Sequence, residues 1–232
     1  MTSAFPPGQT AAALPSLRLE GVACRRGDRL LFAGLDETLR PGELVWLRGA
    51  NGRGKTSLLR LVAGLAAPEH GRILWGDAPA RGNVDFARRL VYIGHANALK
   101  DDLSALEALA FLARVHGRDD APATLRAALA RLGLGGRERT PVRSLSQGLR
   151  RRVALARLAL ETAAGPWVLD EPFDALDVGG TATLHALLAA HRARGGSVLL
   201  TSHHLHVDAA AADAGFRTLD LDRLPQDAEA LA

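Results

Sequence analysis

Short apolar runs that stop at glycine or at carboxylates recur along this chain, separated by stretches of helical spacing. Leu44-Val45-Trp46-Leu47 has the length and composition of a buried strand. After a glycine-rich turn, Thr56 to Ala63 places Leu58, Leu59, Leu61 and Val62 at helical spacing and meets Gly64, a residue suited to end a helix. Leu90 to Gly94, Trp167 to Leu169 and Val198 to Leu200 read as further strands. The middle of the chain, about 95–161, is helical in pattern. Ser104-x-x-Glu107 is a capping box ahead of Leu106, Leu109, Phe111 and Leu112, and that run stops at Gly117. Pro122 suits the first turn of a second helix through Leu125, Leu129 and Leu132, ended by Gly133. Ser146 then caps a third, through Arg150, Val153, Leu155, Ala156 and Leu160.

Composition narrows the class. The chain is 47% hydrophobic, a globular share, yet no run reaches the length of a membrane span, since Val153 to Val168 is broken by Arg157, Glu161 and Gly165. Residues 1–16 are expected to be a loose Pro/Ala tail, not a signal peptide, because no basic segment opens them. One cysteine, Cys24, forms no internal disulfide and fits a cytoplasmic setting. Of 29 basic residues only Lys55 and Lys100 are lysine. That bias is read as compositional, with no nucleic-acid partner. It makes Lys55 conspicuous: a compact ammonium reaches between phosphates where a planar guanidinium does not.

Gly49, Gly54, Lys55 and Thr56 satisfy G-x-x-x-x-G-K-[ST] between a strand and a helix, the context in which that pattern cradles phosphates. Backbone amides turn inward and the helix N-terminus adds partial positive charge. The expected nucleotide contacts are Gly49, Asn51, Gly52, Gly54, Lys55, Thr56 and Ser57, with ATP as ligand and the Thr56 hydroxyl on Mg²⁺. Further on, an apolar strand ends in Asp170 and Glu171. Asp170 is placed to hold Mg²⁺ through water, and Glu171 to polarise the attacking water as a base. Between these lies Leu145-Ser146-Gln147-Gly148-Leu149. Ser146 and the Gly148 amide at a helix start make a second anion site, which one chain cannot bring to its own cradle. That points to a head-to-tail homodimer sandwiching two nucleotides. Read alone, the segment is a capped helix with a solvated Arg150-Arg151-Arg152 face.

In this order the motifs resemble the nucleotide-binding domains of ABC transporters, from Leu17 to about Leu221. The resemblance implies an α/β P-loop NTPase fold: one domain over 17–232, with a mixed-sheet core and an inserted helical subdomain at about 95–161. It makes Asp177 the D-loop aspartate that couples two sites across the dimer, and His203 the switch histidine at the γ-phosphate. His203-His204-x-His206 also has metal-cluster spacing, but the role of His203 leaves His204 and His206 as surface residues. Departures from the generic pattern are His95 where a glutamine is usual, Arg25 and Arg26 where an aromatic usually stacks on adenine, and Gln147 and Leu149 in the signature. Ala50 stands where proline is common.

The stretches EGVACRRGDRLLF, GELVWLRGANGRGKTSLLRLVAGL, Tyr92-Ile93-Gly94-His95, RRRVALARLAL and LDEPFDALDVGG are similar to the CcmA family, the ATP-binding subunits of cytochrome c maturation, long described as haem exporters. Leu149 fits that family worst. The likeness implies membrane partners of CcmB and CcmC type and indirect action on the haem chaperone CcmE. It implies a place on the cytoplasmic face of the bacterial inner membrane, with ATP hydrolysis driving haem export or release of loaded chaperone. His95, by this likeness, reports nucleotide state to the groove that takes a coupling helix. The competing expectations are an exporter ATPase for another substrate, a soluble ABC protein, or a nucleotide-gated binding module. Cys24 and His116 are expected to pack or lie at the surface, not to ligate iron.

Overall fold

The computed structural model describes residues 14–203 and 215–226. Two sheets form the core. In the antiparallel one, β1 (Leu17–Arg26) lies between β2 (Arg29–Leu39) and β4 (His70–Trp75), and the short β5 (Ala78–Pro79) flanks β4. The other is parallel, in the order β6 (Val91–Ile93), β7 (Pro166–Leu169), β8 (Ser197–Thr201), β3 (Leu44–Arg48), β9 (Phe216–Asp220). The mixed core expected from the sequence is thus divided between an antiparallel and a parallel sheet.

The apolar runs are continuous because the parallel sheet is buried on both faces. Along β7, Trp167 and Leu169 face one core cluster and Val168 the other. Along β8, Val198 and Leu200 face the first cluster and Leu199 the second. The second cluster joins the antiparallel sheet to α1 (Lys55–Val62) through Phe32, Leu35, Leu58 and Leu59. The first joins the sheet to α3 (Ala105–Val115), α4 (Pro122–Arg131) and α5 (Gln147–Ala156), which pack on one another, and to α6 (Val178–Ala193). A short α2 (Val84–Arg89) precedes β6.

Local signals behave as their chemistry dictates. Ser104 and Glu107 form the reciprocal capping box of α3, and Pro122 sits in the first turn of α4. The third helical run changes pitch: α5 ends at Ala156, and Arg157–Leu160 continues as a 3-10 turn. The sheet then places the site. The carboxyl ends of β3, β6, β7 and β8 deliver the phosphate loop, the Gly94–His95 turn, Asp170–Glu171 and Ser202–His203 to one edge, the crevice where open α/β sheets bind ligands.

Candidate active site

The loop after β3 meets α1 at Gly54, whose φ of +97° is left-handed. A Cβ there would lie 3.1 Å from the Leu31 side chain, which would have to give slightly, so it is chiefly the left-handed backbone that favours glycine. Lys55 Nζ donates to the Gly49 carbonyl at 2.6 Å and reaches the Ala50 carbonyl at 3.4 Å. The ammonium therefore bridges its own loop.

Two residues absent from the sequence expectations brace this loop from behind. The Ala50 amide donates to both carboxylate oxygens of Asp222, at 3.0 and 3.1 Å. Arg53, from a variable position of the motif, donates to the carbonyls of Leu221 and Leu224 and pairs with Asp222. Neither position is specified by the phosphate-loop pattern. A basic residue inside the loop and an acidic one after the last strand were the available signals.

Asp170 and Glu171 divide as their neighbours dictate. The Asp170 carboxylate accepts from the Thr56 hydroxyl at 2.9 Å and from the Thr201 hydroxyl at 2.8 Å. Glu171 takes a left-handed φ of +47°, a conformation that strains a non-glycine residue by about 1–3 kcal/mol. Its amide donates to Thr201 Oγ1 at 2.8 Å, and its carboxylate turns to His203. There Oε2 accepts the His203 amide at 3.0 Å, while Oε1 lies 3.6 Å from His203 Nε2. Glu171 is buried, with 7% of its surface exposed. Thr56 and Asp170 present hard oxygen donors side by side, a set that fits Mg²⁺, which takes one or two protein oxygens and completes its shell with phosphate and water.

Around these groups lies a cavity of about 300 Å³, running from Arg26 and Leu31 past Gly52, Lys55 and Ser57 to Glu171 and His203. Ser146 and Gly148 are not among its lining residues. Ser146 caps α5 by accepting from the Leu149 amide at 3.3 Å. A Cβ on Gly148 would meet the Ala175 carbonyl at 2.4 Å, so the close approach this glycine permits is to the chain's own D-loop. Asp177 caps α6 through the Gly180 amide at 2.8 Å and pairs with Arg152. The Gly180 amide, joined by Arg152, holds its carboxyl below the usual range. His95 lines the nucleotide cavity and also a neighbouring groove of about 480 Å³ bordered by Arg60, Leu65, Tyr92, Leu112 and Arg157. Its Nδ1 lies 3.9 Å from Asp174.

The arginine triplet corrects the sequence reading. Arg150 donates to the carbonyls of Val142, Arg143 and Leu145. Arg151 is buried, 3% exposed, behind Asp170 and Glu171. Arg152 reaches Leu132 and Asp177. None of the three makes a solvated face. His204 and His206 lie outside the described residues. Among the described residues no cluster of three or more His, Cys, Asp or Glu could hold a metal, and no helix is long and apolar enough to cross a membrane.

Residues 32–174 match the family model described as ABC transporter. Curated relatives named "Cytochrome c biogenesis ATP-binding export protein CcmA" include one from Methylococcus capsulatus, 49% identical over 80% of this chain and 89% of its own. Another, from Cupriavidus necator, is 44% identical over 95% of this chain and 93% of its own. The chain belongs to the ABC transporter family, as an ATP-binding subunit of the CcmA type. Solved structures agree on the fold. The ATP-binding subunit of an ABC transporter superimposes with a TM-score of 0.75 at 25% identity, over 90% of this chain and 87% of that one. A cassette solved as a dimer in a post-hydrolysis state with ADP and Pi also gives 0.75, at 21% identity, over 90% of this chain and 98% of that one. By the family match and these relatives, the CcmA-type chain is an ATPase subunit.

Proposed function

We propose that this chain hydrolyses ATP on the cytoplasmic face of a bacterial inner-membrane complex in cytochrome c maturation, driving haem export or release of the haem-loaded chaperone CcmE. The observation that carries the chemistry is the Glu171–His203 pair facing the phosphate loop across one cavity. Glu171 acts as the base: strain and burial fix its carboxylate, and the His203 amide orients it toward the γ-phosphate end. His203 contacts the γ-phosphate. Lys55 exchanges its loop carbonyls for β- and γ-phosphate oxygens, with the amides from Gly52 to Ser57 completing the cradle. Asp170 and Thr56 would hold Mg²⁺, which supplies positive charge to the phosphate oxygens when bound.

A second copy completes the site. Ser146 and Gly148 lie off the chain's own cavity, and Val178, beside Asp177, is 88% exposed, which supports a head-to-tail dimer around two nucleotides. The groove beside His95 takes a coupling helix from membrane subunits of CcmB type, with CcmC in the same assembly. Its apolar lining by Leu65, Tyr92 and Leu112, with Leu65 exposed, supports that assignment.

The test is covalent haem in c-type cytochromes of a host lacking its own subunit and complemented with this chain or its Glu171→Gln form. Restoration by the native chain and failure by Glu171→Gln is the expected result. Restoration by both would remove Glu171 chemistry from haem attachment. Failure by both, with the protein expressed and membrane-bound, would assign another cargo.

A further inference from the structure

Arg151 emerges from α5 beneath the active-site edge, and all four of its terminal N–H groups are used. Nη1 donates to the Gly94 carbonyl at 2.9 Å and to Asn97 Oδ1 at 3.1 Å. Nη2 donates to the carbonyls of Asp170 and Glu171, both at 2.8 Å. One guanidinium thus joins three segments: the first turns of α5, the turn that carries His95, and the backbone that carries Glu171. Burial depresses its affinity for the proton, and the nearby Asp174, Asp170 and Glu171 oppose that effect, so it stays charged.

The acceptors explain why arginine is required. Four oxygens from two separate strand ends converge on two nitrogens held in one plane. A lysine ammonium offers three donors from a single point, and a glutamine amide two. The neighbours in the triplet are committed elsewhere, Arg150 to the Val142–Leu145 turn and Arg152 to Leu132 and Asp177. The carbonyl that Arg151 grips on Glu171 belongs to the residue with left-handed φ, whose conformation aims the carboxylate at His203.

We infer that Arg151 is a positioning residue for hydrolysis: it holds the Glu171 main chain in its strained conformation and locks that conformation to the Gly94–Asn97 turn between groove and nucleotide. The phosphate loop needs no contact with it. Its loss therefore lowers turnover and leaves nucleotide binding in place. It also frees the two turns from each other. The turnover part rests on Glu171 being the base; the mechanical part does not.

The experiment uses the full chain carrying Arg151→Gln, Arg151→Lys or Arg151→Ala, with Glu171→Gln in parallel. Steady-state ATP hydrolysis, binding of a fluorescent ATP analogue, and amide hydrogen exchange over 91–97, 168–176 and 49–58 are measured together. The expectation is a fall in kcat of roughly tenfold to a hundredfold for all three Arg151 variants, with KM and analogue affinity within about threefold of native. Exchange should accelerate in both 91–97 and 168–176 and stay native over 49–58. Guanidinium at tens of millimolar should restore part of the Arg151→Ala rate, which loss of overall structure would not allow. Native kcat in Arg151→Lys, or unchanged exchange in either turn, would overturn the inference. Native turnover in Glu171→Gln would instead refute the base assignment, and hydrogen exchange still decides whether Arg151 joins the turns.

Discussion

Arg25 and Arg26 are adjacent on β1 and differ in what they are free to do. Arg25 pairs with Glu69 at 3.1 Å and donates to the Asp28 carbonyl, so its guanidinium is engaged. Arg26 lines the nucleotide cavity, as do Leu31 and Gly52. An adenine seated at this end would have the Arg26 guanidinium to stack on, a cation against a π face. Such stacking is worth about 0.5–2 kcal/mol, a factor of roughly 2 to 30 in affinity. Arg26→Ala should weaken ATP binding within that range, and Arg26→Tyr should restore it. Stacking reads no base edge, so GTP and ATP should bind within a few-fold of one another. Titration of the native and variant chains with both nucleotides checks this. A larger loss in Arg25→Ala than in Arg26→Ala would move adenine away from Arg26.

At the scale of elements, α5 couples more than its signature residues suggest. Leu149, read from the sequence as an exchange in the signature, packs against the core, and its amide, not its side chain, serves the Ser146 cap. The cap therefore survives the exchange. Gly148 has no such latitude: Gly148→Ala puts a methyl within 2.4 Å of the Ala175 carbonyl, and either α5 or the D-loop must move. The expected outcome is a stability loss of about 1–3 kcal/mol and loss of ATP-dependent dimerisation, with nucleotide still bound by the cradle. Denaturation and size-exclusion profiles with ATP measure both, and an intact ATP dimer would refute it. The same helix marks the limit of sequence reading. Ser146, the phosphate loop and Asp170–Glu171 are legible because local chemistry alone demands those residue types. Arg151 is not, since three arginines after a cap look like a solvated face until β6 and β7 bring carbonyls under one of them. The β1–β2 pair was equally hidden, because three register shifts between Leu19 and Arg25 break the alternation that announces a strand.

The whole molecule carries a proton-linked element remote from the nucleotide. His191, on α6, is fully buried and stacks on Trp167 of β7 with ring centroids 3.7 Å apart. Its Nε2 donates to the Gly165 carbonyl at 2.8 Å, while Nδ1 is buried with no hydrogen-bond partner. Gly196 makes room for the ring, since a Cβ there would lie 2.1 Å from Nε2. Burial pushes the His191 pKa down from 6.5 to about 4. His116 at the end of α3 is also lowered to about 4, by burial and then by Arg157 and Arg118. Both histidines fold in the neutral form, so between these values the unfolded chain binds more protons than the native one. Stability is then full above the unfolded pKa of 6.5, declines as pH falls toward 4, and levels off below. For His191 the total change is on the order of 3 kcal/mol; the half-buried His116 adds less. His191→Gln keeps an N–H for Gly165 and removes the titrating ring. It should lower stability at neutral pH through lost stacking, yet flatten the acid slope. Urea unfolding of both proteins across the interval reads the slopes directly. Parallel slopes would place the proton uptake elsewhere and leave His191 a packing residue alone.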